Sequence, residues 1–322
     1  MKELITIEGG AIETQEEKLS RAFADWVKFC DVGQLTQRAY NSAASKFVAF
    51  VRTGNLPLNQ ETLIKFREYC KENFSVSTAR LYFTVCRKFC QWSCQKMNVA
   101  DFTTGIRGVK LTTDLHARDA LTAEDMATTI NTFTGNDFLS VRNRLILKIA
   151  AECGLRRVEL HRLDCADIEL RRGKYFLKVW GKARAGKGDF VALPKELKKD
   201  IDQYLKMRAE LMKNGEVDQK APFFISVSNN SYGRRLDVQS FSKIAKKALV
   251  NAGFDSKRLV LHSFRHGFAS AAINSGVDVR KIQKTLRHRS LNVTEIYIAD
   301  ENQFNNDATE IVAGKLNEFL RG

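Results

Sequence analysis

His262, Arg265, His288 and Tyr297 in the last third of the chain, with Arg156 far upstream, are the residue types that an attack on a phosphodiester requires. A phosphoryl group under attack gathers negative charge on its non-bridging oxygens, and two guanidiniums can clamp those oxygens through forked hydrogen bonds. Arg156 and Arg265 are the candidates for that clamp. A phenol ionises near pH ~10, so about a thousandth is phenolate at neutral pH, and a tyrosine nucleophile needs a cationic, partly dry setting and a base. Tyr297 has His262 and His288 as candidates for that setting, and it is the only tyrosine after Tyr232.

The frames around these residues carry further information. C-G-L-R-R-V-E-L at 153–160 is followed by L-D-C-A-D-I at 163–168; L-H-S-F-R-H-G-F-A at 261–269 and T-L-R-H-R-S at 285–290 come next, and T-E-I-Y closes the series at 294–297. In this order the motifs resemble the tyrosine recombinase superfamily, also called the phage integrase family, and the likeness runs over nearly the whole chain. The resemblance implies that Arg156 is the first catalytic arginine and Glu159 its supporting carboxylate. It places His262 and Arg265 in the histidine and second-arginine roles, His288 as the second histidine and Tyr297 as the nucleophile. His266 is expected to support the site structurally. The chain departs from the family at Leu286-Arg287-His288, where Leu-Gly-His is usual, so Arg287 adds a cation that either contacts phosphate or faces solvent.

The family's catalytic lysine lies in the turn of a β-hairpin between the two arginine boxes. Residues 174–194 read as such a hairpin, with the alternation Phe176, Lys178, Trp180 and the run Phe190 to Leu193 flanking a glycine-bearing turn. Lys182 directly follows the first strand and is preferred as general acid on the leaving 5′ oxygen; Lys187 enters the second strand and is assigned to the DNA backbone. The resemblance implies cleavage through a 3′-phosphotyrosine, exchange through a Holliday junction, a homotetramer on two duplexes and no cofactor; it suggests that the carboxyl-terminal tail packs on a neighbouring protomer, while the sequence equally allows the tail helix to fold back on its own domain. A type IB topoisomerase would share the site, and a non-catalytic DNA-binding protein would share the scaffold.

Charge agrees with double-stranded DNA as partner. The 52 Lys and Arg residues against 37 Asp and Glu give a formal charge of +15, which favours a polyanion. No apolar run approaches the ~20 residues that span a bilayer, and Met1 to Gly10 lack a secretory pattern, so a cytoplasmic protein without membrane contact is expected. Seven cysteines, an odd number, do not form a disulfide framework and read as reduced core residues. Cys86, Cys90 and Cys94 form a ladder along one helical face without a fourth ligand, and His262 and His266 lack the glutamate of a metalloprotease pair, so no metal site is expected.

The elements that must position these groups follow from periodicity and caps. The expected fold is mainly α with a small antiparallel β-sheet. An extension (1–13) precedes a helical core-binding, DNA-binding domain (14–102), a basic linker (103–120) and a catalytic domain (121–322) that ends in a tail helix. In the first domain Thr14 and Glu17 make a capping box ahead of Leu19, Phe23, Trp26 and Cys30. Thr36 opens a second helix with Tyr40, Ala44, Phe47 and Val51 inward, Asn59 a third, and Ser77 a fourth through Leu81, Val85, Phe89 and Trp92. Arg80, Arg87 and Lys88 on that fourth helix, with Arg107, Lys110 and Arg118 in the linker, are the expected phosphate contacts. Thr122 starts the catalytic domain, with helices near 138–153, 195–213, 238–252, 262–275 and 278–287.

Overall fold

The computed structural model describes residues 14–110, 121–180, 186–212 and 220–287. The chain divides into two compact units, Met1–Thr113 and Asp114–Gly322. The first holds four helices: α1 (Gln15–Phe29), α2 (Gln34–Thr53), α3 (Gln60–Asn73) and α4 (Val76–Met97). Thr14 and Glu17 form the expected capping box, and Asn59 caps α3 by accepting the Thr62 N–H at 2.9 Å. The helix starts at Thr36 and Ser77 need correction. Gly33 precedes α2 and Ser75 caps α4, so Thr36 and Ser77 fall inside first turns.

The core of this unit is aromatic: Phe23 stacks on Phe89 at 4.0 Å and Trp26 on Tyr40 at 5.3 Å, while Phe47 meets Phe66 edge to face. Cys70, Cys86, Cys90 and Cys94 fill the remaining volume as free thiols. Burial pushes Cys70 and Cys90 up to about 12, so they stay protonated and unreactive at neutral pH. Leu81, expected inward, is 41% exposed because Ala79, Phe83 and Cys86 form the buried stripe of α4 instead. Residues 103–110, expected within a free linker, are seated on the bundle. Ile106 and Val109 are buried in its core, Arg87 donates to the Ile106 carbonyl at 2.9 Å, and Arg67 donates to that of Arg107 at 3.0 Å.

The second unit is built around α6 (Phe138–Cys153), buried on almost every side through Val141, Leu145, Ile146, Leu147, Ile149, Ala150 and Cys153. Before it stands α5 (Ala123–Ile130), capped by the Thr122 and Asp125 box. After it come the short α7 (Arg157–His161) and an antiparallel sheet of β1 (Ile168–Arg171), β2 (Lys174–Trp180) and β3 (Lys187–Ala192) in the order β1-β2-β3. Leu177 and Val179 point into the core, so the alternation Phe176, Lys178, Trp180 marks the opposite, less buried face of β2. Then follow α8 (Lys195–Leu211), α9 (Val238–Asn251), α10 (Leu261–Asn274) and α11 (Val279–Leu286). No described helix is long and apolar enough to cross a membrane.

α10 packs against α6, and its approach to the start of the unit depends on one missing side chain. A Cβ built at Gly267 would lie 2.4 Å from the Leu121 carbonyl oxygen and 2.9 Å from the Met126 sulfur. The backbone carbonyl cannot rotate away as a side-chain tip could. Gly267→Ala is therefore expected to lower stability by about 1–3 kcal/mol despite the better helix propensity of alanine; a denaturant midpoint equal to that of the wild type would refute this packing.

Candidate active site

The site begins where α6 stops. Gly154 ends the helix in the left-handed region at φ 59°, where a residue with a Cβ pays a steric cost, and a Cβ there would also meet Leu286 at 2.6 Å. The turn carries the chain through buried Leu155 to Arg156, at the N-terminus of α7. Glu159, one turn on, reaches back to accept the Arg156 backbone N–H at 2.7 Å, and the Arg156 guanidinium donates to its other oxygen at 2.8 Å. Arg156 is thus oriented by its own helix while its side chain stays 29% exposed.

Arg265 comes from the first half of α10 and is only 1% exposed. Its Nη1 donates to the Gly154 carbonyl at 2.5 Å and its Nη2 to the Leu286 carbonyl. These oxygens belong to the C-terminal ends of α6 and α11, where carbonyls lack helical partners and the helix dipoles are negative. One guanidinium therefore satisfies two helix ends, and it lies against the turn that delivers Arg156. The arginine boxes, 111 residues apart for this bond, meet in one place.

Glu159 ties in a third cation. Arg287, in the left-handed region at φ 55°, donates from Nη2 to Glu159 Oε2 at 2.5 Å and from Nε to Oε1 at 3.3 Å. It also donates to the Thr285 carbonyl at 2.5 Å and to that of Gly154 at 3.4 Å. Both side chains of the pair are 5% exposed, so the expectation that Arg287 faces solvent or phosphate is corrected: its guanidinium is turned inward onto the carboxylate. The left-handed backbone costs an arginine about 1 kcal/mol, and a buried, two-pronged ion pair offsets that.

Burial alone would raise the Glu159 carboxyl. The charge and hydrogen bond of Arg287, joined by the Arg156 backbone N–H and the Arg156 charge, outweigh it and hold the group below the ordinary carboxylate value. Because the folded value is lowered, the contribution of Glu159 is fully present above about pH 4.3 and is lost as pH falls through the lowered value.

His262 and His266 lie one turn apart on α10, both half-buried, with ring centroids 4.7 Å apart edge to face. Arg80, Lys88, Arg107 and Lys110 are exposed on the first unit, whereas Arg87 spends its guanidinium on the Ile106 carbonyl. Lys182, Arg118, His288, Tyr297, the side chain of Lys187 and the expected tail helix lie outside the described residues. Among the described residues no three His, Cys, Asp or Glu side chains group as metal ligands do. The inward turn of Arg287 and the carbonyl partners of Arg265 were not foreseen. The second had a trace in the sequence, since a glycine ending α6 leaves a carbonyl to be satisfied.

The phage integrase family model matches residues 120–303, a span that holds Arg156, Lys182, His262, Arg265, His288 and Tyr297. The chain belongs to the phage integrase family. As a tyrosine recombinase it is 30% identical to the tyrosine recombinase XerD of Halalkalibacterium halodurans over 244 residues, 74% of this chain and 77% of that one. It is 34% identical to XerD of Proteus mirabilis over 159 residues, about half of each chain (49% and 48%). Its fold is similar to that of the XerH site-specific recombinase in a post-cleavage complex with palindromic difH substrate, at TM-score 0.73 and 21% identity over 94% of this chain and 86% of that one. A lambda integrase (75–356) dimer bound to a COC′ core site matches at TM-score 0.61 and 16% identity over 85% and 96%.

Removing the carboxylate from this recombinase leaves two guanidiniums without their counter-charge. Glu159→Gln is expected to cost about 3–5 kcal/mol at pH 7, and the gap should close as the wild type is acidified below about pH 4. Unfolding curves across pH check this, and equal midpoints at neutral pH would contradict it. Arg265→Ala removes the donor to the Leu286 carbonyl and leaves the Gly154 carbonyl only the longer bond from Arg287, and should cost about 1–3 kcal/mol as well as activity; thermal unfolding that leaves this variant as stable as the wild type would contradict the helix-end role.

Proposed function

We propose that this tyrosine recombinase is a site-specific recombinase that breaks and rejoins double-stranded DNA through a 3′-phosphotyrosine intermediate and a Holliday junction. The observation that carries the reading is the bond from Arg265 to the Gly154 carbonyl, which brings the second arginine box onto the turn bearing Arg156. Tyr297 attacks the phosphorus, a 3′-phosphotyrosyl bond forms, and the bond to the 5′ oxygen breaks. His262 takes the tyrosine proton, Lys182 gives a proton to the leaving 5′ oxygen, and His288 donates to a non-bridging oxygen. Arg156 and Arg265 hold the charge that develops on the phosphoryl oxygens. The 5′ hydroxyl of a partner duplex reverses the step on the other strand, and the energy stays in the phosphotyrosine bond throughout, so no nucleotide cofactor is consumed.

The assembly in this reading is a homotetramer on two duplexes in the cytoplasm, with the carboxyl-terminal tail passed between protomers. Exposed Arg80, Lys88, Arg107 and Lys110 contact phosphates in this reading, as do Arg118 and Lys187. Each phosphate contact removed should weaken DNA binding uniformly across sequences and lower the salt slope by about 1. Arg87, held by the Ile106 carbonyl, instead fastens residues 103–110 to α4.

A nicked duplex bearing the target site, which loses the short 5′-hydroxyl fragment after cleavage, traps the covalent complex. Wild type should accumulate an adduct that resists denaturant. Tyr297→Phe should bind the same DNA and form none, and Arg156→Ala should lose on the order of 10² to 10³ in cleavage rate. An adduct with Tyr297→Phe would overturn the assignment, and relaxation of supercoils without strand exchange between duplexes would favour a topoisomerase.

A further inference from the structure

Arg287, like Arg265, is a buried cation of this site, and it is the one whose charge is spent on the Glu159 carboxylate. Its residue is left-handed, a conformation glycine or asparagine adopts with less strain, and its guanidinium is buried as deeply as the carboxylate it grips. Arg156, on the same carboxylate, is about six times as exposed as Arg287, 29% against 5%. Glu159 carries one negative charge. If Arg156 were its sole partner, that charge would neutralise the guanidinium meant for the phosphate.

We propose that Arg287 is a positioning residue of the strand-breaking reaction: by sharing Glu159 from the buried side, it keeps that carboxylate ionised and leaves a net positive charge at the exposed guanidinium of Arg156. The inference rests on the strand-cleaving reading above. Among the described residues the charged groups that meet Glu159 are Arg156 on its own helix and Arg287 at the end of α11. Arg265 of α10 meets the Gly154 carbonyl that Arg287 also touches. The three guanidiniums and one carboxylate sum to two positive charges, and removing Arg287 leaves one. The same removal takes away the principal groups that hold Glu159 low, so Glu159 should protonate at higher pH and release Arg156.

The test uses the full chain and a nicked duplex cut from the DNA flanking its gene at the mapped cleavage site, comparing wild type with Arg287→Gly, Arg287→Asn and Arg287→Lys. Glycine and asparagine both suit the left-handed backbone, so thermal unfolding identifies any variant lost to misfolding and the other carries the comparison. The inference expects the single-turnover rate of adduct formation to fall about 10- to 100-fold in the glycine and asparagine variants, the scale at which outer partners of a charged site act. DNA affinity should change less than about 3-fold, since Arg287 is not a phosphate contact in this account. Lysine, which keeps a cation beside Glu159, should restore part of the rate. Wild-type rates in both neutral variants, or a lysine variant no faster than the neutral ones, would overturn the role of Arg287 alone. Failure of the wild type to form any adduct would overturn the cleavage reading and this inference with it.

Discussion

Guanidiniums repel one another, and two or more can occupy a partly dry pocket only if fixed negative groups stand among them. In this recombinase those groups are the Glu159 carboxylate and the carbonyls that end α6 and α11. At an effective dielectric of about 20, two like charges a few ångströms apart cost several kcal/mol, and the carboxylate and helix ends answer that cost. Their arrangement also fixes direction: the carbonyls hold Arg265, and Glu159 orients Arg156 from behind. The site is preorganised because its cations are satisfied by backbone that cannot move without unwinding a helix.

The rest of the catalytic unit keeps those helix ends in place. α6 is buried along nearly its whole length, so Gly154 is anchored by the core and serves as the reference point for the pocket. α10 carries His262 and Arg265 on its first turns and lies close to Leu121 because Gly267 has no side chain. Leu286 packs with Ile282 and Ala269 in a small apolar cluster, which sets where α11 ends and so where the second carbonyl stands. Burial of ordinary side chains thus determines the geometry of the charged ones.

Much of this was legible in the sequence because local chemistry and tertiary structure agree there. Thr14, Asn59 and Thr122 cap helices as their spacing predicts, and α6 runs over 138–153 as its periodicity predicts. The arginine boxes were recognisable because the residue types a phosphoryl clamp needs sit in apolar frames that themselves must pack. Leu81 was placed inward because helical spacing permits more than one stripe, and only the neighbouring helices choose between them. Residues 103–110 read as a free linker because their polar composition hides Ile106 and Val109, whose burial depends on α3 and α4 being near. Arg287 departs from the sequence expectation for a related reason. A charge beside a catalytic histidine suggests a ligand, and its inward turn depends on a carboxylate 128 residues away.

The central claim is that paired guanidiniums neutralise the phosphate that Tyr297 attacks. The most direct measurement replaces the scissile phosphate with an uncharged methylphosphonate and compares adduct formation by wild type and Arg156→Ala. The variant, crippled on the natural linkage, should recover to within about tenfold of the wild type on the neutral one, because that linkage lacks the standing negative charge that the second guanidinium is needed to offset and leaves a smaller charge to be held in the transition state. A variant as impaired on the methylphosphonate as on the phosphate would show that Arg156 acts by some means other than charge, and the account would fail.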